Sequence, residues 1–138
     1  GGRRMKDCLF CKIVGGEIPA FKIYEDENTF AFLDIGGDFY GHTLVVPKVH
    51  CTNILDCPPD VLSQVMATAQ KIAKHYVEKC GFDGVNIFAN NNAAAQQAIM
   101  HLHIHIVPRK KGDFADIYHP RSKTEFDLKE IQKQLLLN

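Results

Sequence analysis

A run of alternating histidine and apolar residues constrains this chain more than any other feature. From His101 to Val107 the order is His-Leu-His-Ile-His-Ile-Val, which has a period of two. Successive side chains of a β-strand point to opposite faces, so the run predicts a strand over His101–Pro108. Three histidines share one face of that strand: His101, His103 and His105. The opposite face is apolar and is expected to enter the core: Leu102, Ile104 and Ile106.

Shorter patterns predict the rest of an antiparallel sheet. Phe21–Glu25 and Thr29–Leu33 are strand-like runs, and the Asp-Glu-Asn sequence at 26–28 is turn chemistry, so together they predict a hairpin. We predict two further strands, at His42–Pro47 and Val85–Ala89. A proline ends the first of these because it cannot continue the ladder of hydrogen bonds.

One long helix is predicted between Pro58 and Gly81, because proline suits a first helical turn and glycine suits a helix stop. Its apolar residues follow helical spacing: Val61, Leu62, Val65, Met66, Ala69, Ile72, Ala73, Tyr76 and Val77. A shorter helix is predicted over Asp127–Leu136. The expected class is therefore α+β: a five-stranded antiparallel meander sheet with one long helix and a short C-terminal helix. We expect a single domain over residues 5–138, with Gly1–Arg4 as an extension left by cloning.

Composition narrows the classes of partner and compartment. Lys plus Arg and Asp plus Glu are 16 each, so the formal net charge is zero. A neutral protein lacks the broad field that collects nucleic acid or anionic membrane, and we expect neither as a partner. The chain shows no bilayer-length apolar run and no signal peptide. Its five cysteines do not suggest a disulfide framework, so a cytoplasmic location is predicted.

Three imidazoles on one strand face point to chemistry, because neighbouring cations would repel whenever they were protonated. Two interpretations fit the residues alone. The histidines can bind a catalytic metal, since His-x-His on a strand can supply two ligands. Alternatively, one histidine is a nucleophile that its neighbours orient, because neutral imidazole attacks phosphorus near pH 7 and leaves again easily.

Four segments in order resemble the histidine triad family, and the likeness runs from about Cys8 to Arg109. The segments are Cys8–Pro19, Ala31–Ile35, Gly41–His50 and the His-x-His-x-His run. The most similar branch is the Hint type, the small nucleoside phosphoramidate hydrolases. That resemblance implies an enzyme, a purine nucleotide substrate, a homodimer and no metal at the phosphorus.

The same resemblance assigns catalytic roles. His103 would be the nucleophile that forms a covalent nucleotidyl adduct. His105 would lie beside the α-phosphate and help the leaving group depart. His101 would orient its neighbour, and His42 would support the site from the strand opposite.

The resemblance also implies a nucleotide site. Asp34 would accept hydrogen bonds from the ribose hydroxyls; independently, a carboxylate in an apolar segment must find donors, and a strand-end cap or turn role stays open. The apolar slot for the purine would comprise Phe10, Ile13, Ile18, Phe32, Ile35 and Leu44, although the same residues also suit a core. The phosphate loop would comprise Asn90, Gln97 and Ala98.

The loop before the triad departs from the family pattern at two positions. Gln96 stands where a glycine is usual, and Ala98 stands where a hydroxyl residue is usual. The missing hydroxyl removes a donor to the phosphate or the leaving group. We therefore expect a competent site that is slow or tuned to a different leaving group.

The pair Cys8-x-x-Cys11 offers two thiolates, and tetrahedral zinc needs two more ligands. The resemblance supplies His50 and His101 as those ligands, so a structural zinc is expected. Zinc on His101 would steady the strand that carries the nucleophile. The alternatives are a redox pair, which the flanking sequence disfavours, and two free buried thiols.

Three other functions stay open at this point. The first is hydrolysis of dinucleoside polyphosphates, as in another branch of the same superfamily. The second is a nucleotide-binding adaptor with vestigial turnover. The third is a catalytic zinc built on the triad itself.

Overall fold

A computed structural model describes residues 7–36, 39–113 and 127–137. Gly1–Arg4 therefore lies outside the described residues. The elements in chain order are α1 (Leu9–Val14), β1 (Lys22–Glu25), β2 (Thr29–Leu33), β3 (Thr43–Pro47), α2 (Pro59–Glu78), β4 (Gly84–Phe88), a 3-10 turn (Ala93–Ala95), β5 (Ile104–Arg109) and α3 (Leu128–Leu135). The strands form one five-stranded sheet in the order β1-β2-β3-β5-β4.

The predicted architecture is confirmed: every described strand pairing is antiparallel, and one long helix packs on the sheet. The strand order departs from a simple meander, because β3 pairs with β5 and β4 lies at the edge beyond it. This order places β5, which carries His105 and directly follows His101 and His103, between β3 and β4 inside the sheet. The site therefore rests on a strand that is held on both sides.

The prediction that the fifth strand begins at His101 was wrong, because β5 begins at Ile104. Residues 101–103 are instead tied to the segment that follows β3. The Leu102 amide donates to the Cys51 carbonyl at 2.7 Å, and His101 Nε2 lies 2.9 Å from the Pro47 carbonyl oxygen. The side chains of residues 101–103 nevertheless continue to alternate between the two faces of the sheet, as the two apolar cores described next show.

The two faces of the sheet carry separate apolar cores. On one face α2 packs against buried residues of three strands: Ala31, Val45, Ile104 and Ile106. On the other face α1 and the sheet enclose a second cluster: Phe10, Ile13, Phe30, Phe32, Leu44 and Val46. His101 and His103 lie on this second face, because both rings contact the edge of Phe10.

The short helix α1 was not predicted from the sequence, which indicated only a tight turn around the two cysteines. Its first turn is capped by the Cys8 thiol, which accepts a hydrogen bond from the Cys11 amide at 3.3 Å. Phe10 and Ile13 anchor it in the second core. The helix thereby brings both thiols to the same end, three residues apart and facing the histidines.

The two longer helices differ in how they are covered. The α2 stripe is buried against the sheet along its centre, but Met66 and Val77 at its margin are about two-fifths exposed. In α3, Leu128 and Leu135 are three-quarters exposed, and the helix contributes no buried side chain. Among the described residues, no helix combines the length and apolarity needed to cross a membrane.

Candidate active site and metal centre

His103 is held with one ring nitrogen fixed and the other available. Its Nδ1 lies 2.7 Å from the carbonyl oxygen of His101, and the side chain is 6% exposed. A carbonyl can only accept, so Nδ1 carries the proton and donates. The neutral ring therefore has its lone pair on Nε2. This is the tautomer that a nucleophilic histidine requires.

The electrostatics around His103 favour the neutral ring. Burial lowers its pKa, although the hydrogen bond to the His101 carbonyl and the carboxylate of Asp34 oppose that shift, and His42 adds to it. A lowered pKa keeps the imidazole unprotonated at neutral pH. The lone pair on Nε2 is then available for attack on phosphorus.

His105 contacts His42 through one nitrogen and presents the other without a partner. Its Nδ1 lies 2.8 Å from His42 Nε2, and its ring stacks on Phe88 at a centroid distance of 4.5 Å. Its Nε2 is buried and has no hydrogen-bond partner among the described residues. Burial, with His103 and His42 nearby, lowers the pKa of His105 to about 4. An orphaned buried nitrogen next to His103 is where a ligand atom is expected.

Asp34 lies behind His42, a contact that the sequence did not predict. Its Oδ2 is 3.2 Å from His42 Nδ1, and its Oδ1 accepts a hydrogen bond from the Gly36 amide at 2.9 Å. The second contact is the turn role that the sequence left open. About a third of the side chain is exposed, so the carboxylate keeps a solvent-facing edge for a ligand hydroxyl.

Cys8, Cys11, His50 and His101 form a cluster that can hold a metal ion, with their ligand atoms all within 4.8 Å of one another. His101 Nδ1 lies 3.3 Å from Cys8 Sγ and 3.5 Å from Cys11 Sγ, and His50 Nδ1 lies 3.5 Å from Cys11 Sγ. A tetrahedral zinc with bonds of about 2.3 Å to sulfur and about 2.0 Å to nitrogen gives sulfur–nitrogen edges of roughly 3.5 Å. The donor set and its spacing therefore fit zinc.

His101 is oriented for that cluster rather than for the reaction. Its Nε2 lies 2.9 Å from the Pro47 carbonyl oxygen, so Nε2 donates and Nδ1 is the unprotonated atom that faces the two thiols. Burial lowers the pKa of this ring to about 4. His101 acts on His103 through its backbone carbonyl, which supports the predicted orienting role.

The side chain of Gln97 is fully engaged within the loop before the triad. Its Nε2 donates to the carbonyls of Thr52 and Ile99, and its Oε1 accepts from the Asn53 side chain and the Asn92 amide. All four of its hydrogen-bonding positions are thereby used. We therefore expect Gln97 to position the loop rather than to donate to a phosphate. Asn90 lies just after β4 and is half-buried.

Gln96 adopts a left-handed backbone conformation with φ of 68°, so a glycine at this position avoids a steric cost of about 1–2 kcal/mol. The glycine also raises the conformational entropy of the unfolded chain, which by itself lowers the free energy of unfolding by roughly 0.5–1 kcal/mol. We expect Gln96→Gly to raise the free energy of unfolding by about 0.5–1 kcal/mol, measured in urea. In the matched control Ala94→Gly, φ is negative, so the glycine is expected to lower the free energy of unfolding. An equal loss of stability in both variants would show that the backbone at Gln96 is not strained.

The six residues assigned to a purine slot do not form an open slot in this structure. Four of them are 4–8% exposed and belong to the second core: Phe10, Ile13, Phe32 and Leu44. Ile18 packs at the edge of that cluster, and Ile35 is 84% exposed. Ile18 and Ile35 are thus the members with surface to offer a base. A separate cavity of about 830 Å³ lies on the helix side, beside Tyr76, Phe82 and Pro108.

A five-stranded antiparallel sheet, with three alternating histidines that lead into its β5 strand, is typical of a histidine triad protein. The HIT domain family model matches residues 15–112. The chain therefore belongs to the HIT domain family, as the sequence predicted.

Similar proteins extend this assignment. An uncharacterized HIT-like protein of Methanocaldococcus jannaschii is 44% identical over 128 residues, which cover 93% of this chain and 98% of that protein. Adenosine 5'-monophosphoramidase of Saccharomyces cerevisiae is 37% identical, and the matched residues cover 94% of this chain and 80% of that protein. A zinc-bound histidine triad family protein from Mycobacterium smegmatis has a crystal structure with a TM-score of 0.77, 42% identity and 84% coverage of each chain.

Proposed function

We propose that this chain hydrolyses purine nucleoside phosphoramidates through a covalent nucleotidyl intermediate on His103. The observation that carries the proposal is the tautomer of His103, whose Nδ1 donates to a carbonyl and whose Nε2 is left unprotonated. The orphaned Nε2 of His105 beside it supplies a position for a proton donor. The name of the yeast relative, an adenosine monophosphoramidase, supports the substrate class.

In the first step, Nε2 of His103 attacks the α-phosphorus and a nitrogen–phosphorus bond forms. The bond from phosphorus to the leaving amine breaks, and the amine takes a proton from His105. The barrier falls because the attacking lone pair is held in place by the His101 carbonyl and is not protonated.

In the second step, water attacks the same phosphorus and gives a proton back to His105. The bond to His103 breaks, and the nucleoside monophosphate leaves. The ring returns to its neutral tautomer because its Nδ1 keeps its proton throughout and donates it in a hydrogen bond to the carbonyl oxygen of His101. The nucleophile is thereby regenerated without any further reactant.

We also propose that the cluster of Cys8, Cys11, His50 and His101 holds a structural zinc. Zinc there would cross-link the segments that carry these four residues and would fix the tautomer of His101. It would take no part in the chemistry at phosphorus. The zinc-bound relative from Mycobacterium smegmatis and the spacing of the four ligand atoms support this choice. None of the described cysteines is joined in a disulfide bond, which fits a reducing, cytoplasmic setting.

A side-by-side assay tests the proposed reaction. Zinc-loaded protein is given an adenosine 5'-phosphoramidate and a diadenosine polyphosphate at equal concentrations, and release of nucleoside monophosphate is followed. Faster turnover of the phosphoramidate supports the proposal. Preference for the dinucleotide would favour the polyphosphate hydrolase, and nucleotide binding without turnover of either would favour the adaptor.

The missing hydroxyl at Ala98 gives a second expected result. Ala98 is exposed and lines a cavity of about 570 Å³ with Cys8, His50 and Met100. We expect Ala98→Ser to raise kcat for the phosphoramidate, since a transition-state donor is worth roughly 1–3 kcal/mol. Ala94→Ser, also exposed in the same loop, is the matched control. Unchanged rates for Ala98→Ser would show that the departure has no catalytic cost.

We propose that the protein is a homodimer, as the resemblance implies. β4 is an edge strand whose outer side has no partner strand among the described residues. The margin of α2 remains partly exposed, and it includes Met66 and Val77. Strand pairing between two β4 edges, together with contact between two α2 margins, accounts for both features. Light scattering after size exclusion measures the mass directly.

A further inference from the structure

We propose that Asp34 is a positioning residue for the leaving-group proton, acting through His42 on His105, in addition to any contact with ribose. The inference deepens the proposed function and rests on it. Its basis is a continuous chain of three side chains that ends at an orphaned nitrogen. The resemblance assigned Asp34 only to the sugar.

The geometry of the chain is direct. Asp34 Oδ2 lies 3.2 Å from His42 Nδ1, and His42 Nε2 lies 2.8 Å from His105 Nδ1. His105 Nε2 is buried without a partner among the described residues. The ring of His105 is held flat against Phe88, with an interplanar angle of 5°. Each contact therefore uses a different nitrogen, and the last nitrogen is left without a hydrogen-bond partner among the described residues.

Counting protons along the chain shows what the carboxylate does. When both rings are neutral, His42 donates Nδ1–H to Asp34 and accepts Nδ1–H from His105, so His105 Nε2 is bare. One added proton reverses the central bond: His42 then donates from both nitrogens, and His105 becomes an Nε2–H donor. In that second state the positive charge lies on His42, directly against the Asp34 carboxylate. Asp34 therefore stabilises the state that can protonate a leaving amine.

The surroundings of His105 show why a carboxylate is needed to keep a proton on this pair of histidines. The titratable groups that face His105 are His103 and His42, with Asp34 behind them, and Phe88 covers one face of the ring. The two histidines lower the pKa of His105, whereas Asp34 raises it. Among these groups Asp34 is thus the one that opposes loss of the proton.

The step balances as follows. His103 Nε2 forms a bond to the α-phosphorus as the phosphorus–nitrogen bond of the substrate breaks. The departing amine takes the proton from His105 Nε2, and His105 Nδ1 takes the shared proton from His42. Both rings are then neutral, and His42 still donates to Asp34. Water attack on the adduct returns one proton along the same path.

Leaving groups of different basicity test the proposal in zinc-loaded protein. An alkylamine needs a proton to depart, whereas p-nitrophenolate on the same nucleotide does not. We expect Asp34→Asn to lower kcat for the alkylamine substrate roughly tenfold or more, as loss of general-acid assistance requires, with little change for the p-nitrophenyl ester. The alkaline limb of the kcat/KM profile for the amine is expected to move to lower pH. Equal losses for both substrates would overturn the proposal.

A ribose role is separated by removing the sugar hydroxyls. If Asp34 only binds ribose, Asp34→Asn raises KM and has no further effect on a 2',3'-dideoxy substrate. We expect kcat for the dideoxy alkylamine substrate to fall as well. Asp34→Glu, which retains the charge, is expected to recover part of the rate. Asp60→Asn removes the same charge from the exposed first turn of α2 and serves as the matched control.

A readout without substrate distinguishes this inference from the proposed function. Nitrogen-15 NMR of the zinc-loaded protein reports which ring nitrogens of His42 and His105 carry protons across a pH titration. We expect the doubly protonated form of His42 to be lost at lower pH in Asp34→Asn than in the wild type. Identical titrations would overturn the inference, whatever the enzyme hydrolyses. A shifted titration with no phosphoramidate turnover would instead overturn only the proposed function.

Discussion

Replacing His103 with alanine is expected to abolish both turnover of an adenosine phosphoramidate and the covalent nucleotidyl adduct. Loss of a covalent nucleophile costs about 10⁴-fold or more in kcat, because no other group can take its place in the same geometry. Amine release measures the turnover, and rapid quenching in alkali, where a histidine–phosphorus bond is stable, traps the nucleotide on the protein and measures the adduct.

The physical reason is that the tautomer of His103 is fixed by a backbone carbonyl, which leaves its Nε2 unprotonated and available. His101 has one nitrogen on the Pro47 carbonyl and the other facing the two thiols. His105 has one nitrogen committed to His42. The Nδ1 of His103 donates to a backbone carbonyl that exchanges no proton during the reaction, so its Nε2 stays unprotonated for the attack.

A matched control is His75→Ala, which removes an exposed imidazole from α2. This variant is expected to keep the wild-type rate and adduct. Nucleotide binding should survive in His103→Ala, so that a lost adduct cannot be explained by lost affinity. An adduct that persists on His103→Ala would assign the nucleophile to another residue.

The sequence predicted those elements whose signals are local. β2 has the predicted bounds, and the long helix lies between the predicted proline and glycine signals. The alternation of faces through the triad also holds, although β5 begins three residues later than predicted. Helix α1 escaped prediction because six residues cannot form a stable helix alone. It depends on a thiol cap and on Phe10 packing in the second core.

The site was predicted where chemistry lies in one short segment and missed where it depends on distant segments. The four predicted ligands, Cys8, Cys11, His50 and His101, come together in a cluster that can hold a metal ion, as the resemblance implied. The contact of Asp34 with His42 joins the end of β2 to the start of β3, and no pattern in the sequence encodes it. Gln97 is held by Thr52 and Asn53, which lie about 45 residues away along the chain. The same types of apolar residue form a core or a purine slot, so only their burial in the structure shows which of the two they form.

Loss of the metal cluster is the second large effect that we expect. In Cys8→Ser combined with Cys11→Ser, zinc content should fall from one ion per chain to none. The free energy of unfolding should fall by about 4 kcal/mol when free zinc exceeds its Kd a thousandfold, because an ion that binds only the folded state stabilises it by mass action. Metal analysis and urea unfolding at fixed free zinc measure the two quantities.

The same variant separates a structural zinc from a catalytic one. The His103 tautomer depends on the carbonyl of His101, whose ring belongs to the cluster, so a structural zinc affects the rate only through the position of that strand. We therefore expect kcat to fall roughly tenfold, as is typical when an orienting partner is lost, with the adduct still formed. Cys80→Ser removes an exposed thiol and should change neither zinc content nor rate. One zinc per chain that survives loss of both cysteines, with full activity that a chelator then abolishes, would place the metal on the triad instead.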